Sequence, residues 1–195
     1  MPQFPSLPDP AHLTDLLVRF PKNVQPLITY VGAVMRSVGE LSLAERELIA
    51  AFVSGLNACT FCHGSHAIYA RAFGIADGAI DELLEDIETA SIDPKLKPLI
   101  AYVGKLNALP SRLTPTDSQA VFDAGWSQEA LFEAIEVAGL FNHMNRVVEG
   151  GGVNFDYSQN PDQHVIQPQD DAELVKSYEN YAKRIADLVA SSARQ

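Results

Sequence analysis

Apolar residues recur along most of this chain at intervals of three and four, the spacing that lines one face of an α-helix. Alternating β-branched runs flanked by hairpin turns are nearly absent, so the pattern predicts an all-α protein. Read together with capping residues and breakers, it predicts helices over 10–20, 24–38, 43–57, 59–73, 77–88, 94–108, 115–124, 128–149 and 170–191. Pro21 and the residue before Pro26 separate the first two. Ser42 reads as an N-cap, with Glu45 closing a capping box. Asp93-Pro94 and Thr114-Pro115 each place a capping side chain before a proline at the first helical position. Gly74 stops the fourth helix, and Gly150-Gly151-Gly152 stops the long one.

Part of this pattern occurs twice. Pro26-Leu27-Ile28-Thr29-Tyr30-Val31-Gly32 returns as Pro98-Leu99-Ile100-Ala101-Tyr102-Val103-Gly104. At the same offset Leu41-Ser42 matches Leu113-Thr114, and Glu45 matches Asp117. Each copy reads as helix, loop, capped helix, which points to internal duplication rather than chance. The expected organisation is a helical domain over 1–152 with halves at 24–73 and 96–149, an extended loop or arm over 153–169, and a C-terminal helix over 170–195. Phe155 and Tyr157 in the arm suit it to wrapping a neighbouring subunit.

Composition narrows the function. Of 195 residues 47% are apolar, enough for a sizeable core, and the formal net charge is −11. An acidic surface repels phosphate backbones and anionic headgroups, so neither nucleic acid nor membrane is an expected partner. No apolar run reaches the roughly 20 residues of a membrane span. The start, MPQFPSLPDP, lacks the basic and apolar regions of a signal peptide, so a cytoplasmic location is expected. In that reducing compartment two cysteines spent on one short spacing, Cys59 and Cys62, point to reactivity rather than to a staple.

Cys59 and Cys62 fall near the start of a predicted helix, where unpaired amides and the helix dipole favour a thiolate. Such a site can lower a thiol from about 8.5 to about 4–7. His66 follows Cys62 by four residues, on the same face one turn on, placed to take a thiol proton and return it to a leaving group. Glu47 lies on the preceding helix; in an antiparallel hairpin it would face His66 and orient it, as the third member of a triad does. Helix-dipole reasoning favours Cys59 as the attacking thiolate and spacing to a base favours Cys62; we side with Cys62. A zinc site adding His63 and His66 to the cysteines lacks finger spacing. The C-x-x-C-H string of covalent haem attachment normally requires export. No cofactor is expected.

The string Glu47, eleven residues, Cys59-x-x-Cys62, three residues, His66 resembles the core motif of the AhpD-like alkylhydroperoxidases, in the carboxymuconolactone decarboxylase superfamily. Leu41-Ser42, Glu45-Arg46-Glu47 and Ser54-Gly55-Leu56-Asn57 fit as well. Leu140-Phe141-Asn142-His143-Met144-Asn145-Arg146 resembles the peroxidase-related branch. The resemblance implies a helical homo-oligomer (dimer, trimer or hexamer). It implies reduction of an organic hydroperoxide or hydrogen peroxide with electrons from a thiol donor. It also implies roles: Cys62 attacks the peroxide, Cys59 resolves the sulfenic acid to a disulfide, and Glu47 and His66 relay protons. The position between the cysteines, where better-studied members carry a His, is Phe61, and His63 follows Cys62 instead. A disulfide reductase or adaptor for a partner redox protein, and a non-catalytic redox sensor, use the same dithiol and stay open. Asn142, Asn145 and Arg146 need polar partners on an apolar helix, Arg146 most simply in a buried ion pair. Trp126 reads as a core or interface anchor.

Overall fold

The computed structural model describes residues 1–159, 166 and 170–192. Their regular structure is helical: α1 (Leu13–Arg19), α2 (Val24–Arg36), α3 (Leu43–Leu56), α4 (Thr60–Ala72), α5 (Ala79–Glu85), α6 (Leu96–Asn107), α7 (Pro115–Asp123), α8 (Gln128–Gly151) and α9 (Asp171–Ser192), with single 3₁₀ turns at Pro21–Asn23 and Tyr157–Gln159. No strand occurs among the described residues. The all-α expectation holds, and each predicted helix is present within a few residues of its expected bounds.

The caps explain the starts. Ser42 Oγ accepts the Glu45 amide at 3.2 Å while Glu45 Oε2 accepts the Ser42 amide at 2.7 Å. Thr114 and Asp117 form the same box with Pro115 leading the helix. One start differs from expectation. Asp93 and Pro94 form a tight turn, with the Leu96 amide donating to the Asp93 carbonyl, so α6 begins two residues after the proline. The long helix also runs further than its glycines suggested, through Gly151, and ends on Gly152 at φ +69°.

α3 is the axis of the fold. Every residue from Arg46 to Ser54 is buried, so the helix is covered on all sides by α2, α4, α5, α6 and α8. Arg46, like Glu47 and Ser54, is a polar member of this buried run. Its guanidinium bonds the Ser37 carbonyl at 2.6 Å and Glu133 at 3.0 Å, and Glu133 also accepts the amides of Glu40 and Leu41. One ion pair thus fixes the α2–α3 loop to α8. Burial opposes ionisation of Glu133, and the amides of Leu41 and Glu40 and the Arg46 charge outweigh it, holding its carboxyl below its ordinary value.

Two smaller apolar clusters flank the main core. Leu7, Ala11 and Leu16 pack with Cys59, Phe61, Cys62, Val148 and Val153; Leu17 and Val24 pack with Ile185, which docks α9 on α1 and α2. The first seven residues of the expected arm return to their own N-terminus: the amides of Asn154 and Phe155 both donate to the Ala11 carbonyl. The rest of that arm, 160–165 and 167–169, lies outside the described residues. The two copies of the repeated string form α2 and α6, each followed by a loop and a capped helix.

A Cβ on Gly152 would sit 2.3 Å from the Gln3 amide nitrogen in a left-handed backbone, whereas one on Gly150 meets nothing within 4 Å. We expect Gly152→Ala to lower unfolding free energy in urea by about 1–3 kcal/mol, and Gly150→Ala to raise it by up to about 1 kcal/mol. Equal effects would show that the N-terminal segment does not press on this cap.

Candidate active site

α3 ends at Leu56, and Asn57 and Ala58 turn the chain, Ala58 at φ +54°. Cys59 is the residue capping α4 and Cys62 lies in its first turn. α4 then runs back against α3, which makes the hairpin that sequence spacing required. Glu47, Cys59, Cys62 and His66 are thereby gathered around one hairpin.

Glu47 is fully buried. His66 Nδ1 lies 2.6 Å from its Oε2, and the Arg36 guanidinium donates to its Oε1. Burial opposes ionisation of this carboxyl; the charges of His66 and then Arg36, with their hydrogen bonds, outweigh it, so Glu47 is held below its ordinary value. Arg36 is packed in turn by aromatic rings, its guanidinium carbon 4.5 Å from the Tyr178 centroid, 5.6 Å from Phe73 and 5.7 Å from Tyr69. The His66 ring stands edge-on to Phe141 at 4.4 Å. The pairing with Glu47 leaves Nε2 as the ring nitrogen available for proton transfer, and no hydrogen bond joins His66 to Cys62 among the described residues.

The two thiols are free and buried, Cys59 at 0% exposure and Cys62 at 3%. Hydrogen bonding from the Cys62 thiol, and less strongly from its backbone amide, pulls Cys59 below its ordinary value against burial and against the nearby Glu149. The same sulfur–sulfur contact, followed by burial, pushes Cys62 up, and only the Asn145 amide works the other way. Acidity in the reduced pair therefore favours an anion on Cys59, as the helix dipole suggested. Access favours Cys62, because it and not Cys59 lines the adjoining cavity.

That cavity has a volume of about 420 Å³. α4 supplies Phe61, Cys62, Ser65, His66 and Tyr69 to its wall, and α1, α2, α8 and α9 complete it with mainly aliphatic and aromatic side chains. His12 and His66 are the ionisable side chains of His, Lys, Arg, Asp or Glu type on the wall, among the described residues. His12 stands edge-on to Phe61 at 4.9 Å and reaches the Tyr157 hydroxyl at 3.1 Å.

Sequence reading missed Arg36, His12 and Glu149. Arg36 carried one legible signal: it is the last residue of α2 and a cation near a helix already assigned a buried acid. His12 and Glu149 are too far along the chain for spacing to report them. The Asn142-to-Arg146 segment behaves differently from expectation. Arg146 is exposed and forms no ion pair among the described residues; its Nη1 donates to the Asn142 carbonyl at 2.8 Å and to its Oδ1 at 3.1 Å. Amide-to-amide bonds then run from Asn142 to Asn107 (2.7 Å), Asn107 to Asn57 (3.0 Å) and Asn57 to Asn145 (2.9 Å), ending on Ser54 Oγ (3.0 Å). Those carbonyl and amide contacts supply what the buried ion pair was expected to supply. His63 is satisfied by the Ala51 carbonyl at 3.0 Å, and Trp126 anchors to the Lys95 carbonyl at 2.8 Å. Among the described residues, no group of three or more His, Cys, Asp or Glu side chains is placed to hold a metal, and no helix is long and apolar enough to cross a membrane.

Solved structures share this architecture. An alkylhydroperoxidase AhpD core, an uncharacterized peroxidase-related protein from Ralstonia eutropha JMP134, superposes with TM-score 0.69 at 20% identity, covering 79% of this chain and 78% of that one. An uncharacterized peroxidase-related protein from Silicibacter sp. TM1040 gives 0.65 at 20% identity over 71% and 73%. A protein of unknown function from Agrobacterium tumefaciens gives 0.64 at 17% identity over 72% and 94%. No curated protein matches the chain. The fold is thus that of the AhpD-like helical proteins. Residues 21–103, from the first 3₁₀ turn into α6, match the model of the carboxymuconolactone decarboxylase family.

Removing one side of the buried pair isolates the other charge. Glu47→Leu should cost about 3–5 kcal/mol in chemical denaturation, and the Arg36→Met/Glu47→Leu double variant less than the two single losses together. The linkage sign is fixed by the lowered carboxyl: Glu47's contribution is complete above its ordinary 4.5 and disappears as pH falls through its folded value. Glu47→Gln should flatten that acid limb of stability, and an unchanged limb would place the acid sensitivity elsewhere.

Proposed function

We propose that this protein is a thiol-dependent peroxidase that reduces organic hydroperoxide or hydrogen peroxide through a Cys59/Cys62 dithiol–disulfide cycle, with Glu47 and His66 managing protons. One observation carries the reading: a largely apolar cavity has Cys62 and His66 on its wall, with the Cys59 thiol in hydrogen-bond contact with Cys62.

The cycle balances on these groups. His66 takes one proton from the reduced pair, leaving the other shared between two sulfurs with the anion favoured on Cys59. Transfer of that proton from Cys62 to Cys59 exposes a Cys62 thiolate to the cavity. Its attack on the outer peroxide oxygen breaks the O–O bond, oxidises the sulfur to a sulfenic acid and expels an alkoxide, which His66 protonates. Cys59 then attacks the Cys62 sulfur, forming the S–S bond as the S–OH bond breaks, and the departing hydroxide takes the Cys59 proton and leaves as water. A small thiol donor returns two electrons and two protons. Glu47 stays ionised, fixes the His66 tautomer and offsets its charge when protonated.

The burial of both sulfurs favours this reading over an adaptor for a protein disulfide. A bulky partner cannot bring its own sulfur to Cys62 without opening the fold, whereas a small peroxide fits the cavity.

Cys62→Ser should abolish peroxide consumption and leave no dimedone-trappable sulfenic acid, while Cys59→Ser should accumulate one on Cys62. A dimedone adduct on Cys59 in the Cys62→Ser protein would reverse the two roles. His66→Asn should reduce kcat/KM by about 10²–10⁴, the usual worth of a general acid–base.

A further inference from the structure

The cavity holds more than a peroxide group needs. At about 30 Å³ per water, its 420 Å³ corresponds to roughly fourteen waters, whereas the reacting peroxide is two oxygens. The remaining space is bounded by aliphatic side chains and tyrosines, and its two histidines are each paired: His66 with Glu47 and His12 with Tyr157. A charged ligand would find no Lys, Arg, Asp or Glu on the described wall to compensate it.

The tyrosines are not equivalent. The Tyr157 hydroxyl meets His12 Nε2, and the Tyr181 hydroxyl meets Thr14 Oγ1 at 3.1 Å. The hydroxyls of Tyr69 and Tyr178 have no hydrogen-bond partner among the described residues. Neither is among the fully enclosed atoms lacking a partner, which are the Nε atoms of Arg36 and Arg46, so both phenolic oxygens retain access to open space. Both residues line the cavity, and Arg36 lies against both rings. The guanidinium thus holds a residue of α4 and one of α9 side by side. Burial raises both phenols, so at neutral pH each is protonated and can donate. Tyr69 follows Cys62 by seven residues, about 10 Å of helical rise.

We propose that Tyr69 and Tyr178 form an acceptor-binding subsite, and that the molecule held in this cavity is uncharged, largely apolar and carries a carbonyl oxygen in addition to the group presented to Cys62. Its link to chemistry rests on the peroxidase reading, under which the substrate class is a carbonyl-bearing organic hydroperoxide. The binding claim stands separately. Tyr178 belongs to α9, outside the matched residues 21–103, so this selectivity comes from a helix added to the family segment.

Binding of acetophenone and of ethylbenzene, equal in size and differing in the carbonyl, tests this by calorimetry on the wild-type protein and on Tyr69→Phe/Tyr178→Phe. The double variant should weaken acetophenone about tenfold, the worth of about 1.4 kcal/mol of lost hydrogen bonding, and leave ethylbenzene within about twofold, which also reports that the cavity is intact. Tyr178→Phe alone, on the half-exposed α9, should weaken acetophenone about threefold and serves if the double variant does not fold. Equal weakening of both ligands, no weakening of acetophenone, or no binding of either ligand to the wild type overturns the subsite. Consumption of hydrogen peroxide and of cumene hydroperoxide by the wild type is measured alongside: the absence of both defeats the peroxidase reading while the binding result still decides the subsite.

Discussion

A carboxylate with no access to water has to be neutralised where it stands, and here Glu47 is neutralised from two sides. Arg36 reaches it from the end of α2 and His66 from the middle of α4. Three helices are therefore tied to one charge. The arrangement costs desolvation of all three groups, which buried ion pairs seldom recover as net stability. What it provides is orientation: the imidazole, on the cavity wall, has one nitrogen committed and its ring held edge-on by Phe141.

The same charge reaches the C-terminal helix. Arg36 is sandwiched by rings from α4 and α9, so docking of α9 and the state of the Glu47 pair share a side chain. Ile185 and Leu174 bury the apolar face of that helix. The cysteine-bearing hairpin, the cavity wall and the cationic partner of the acid form one packed unit.

Much of this was readable without coordinates. Helical period, the Ser42/Glu45 and Thr114/Asp117 boxes and the terminal glycines gave the nine helices found among the described residues, because each is a local signal within one or two turns. The hairpin followed from motif spacing, and it brought Glu47 to His66 as expected. Other features depend on chain separations that periodicity cannot express. Arg36 pairs across a loop, His12 arrives from the N-terminal segment, and Glu149 comes from the far end of α8. Arg146 was expected to be buried because its neighbours are apolar, yet its own position faces outward and its partner is a carbonyl one turn back. The choice between the two sulfurs is the instructive case: their mutual hydrogen bond governs acidity and cavity position governs access, and the two select different residues.

A guanidinium has no lone pair to offer. Arg146 can only give hydrogens, so the Asn142 side chain must turn its oxygen outward to meet it. That leaves the Asn142 nitrogen facing inward, and the same logic passes through Asn107 and Asn57 until Asn145 presents its NH₂ to Ser54 and the Cys62 sulfur. A solvent-facing cation therefore fixes, through four carboxamides in series, which end of the last one meets the thiol, and that end is the one that welcomes negative charge.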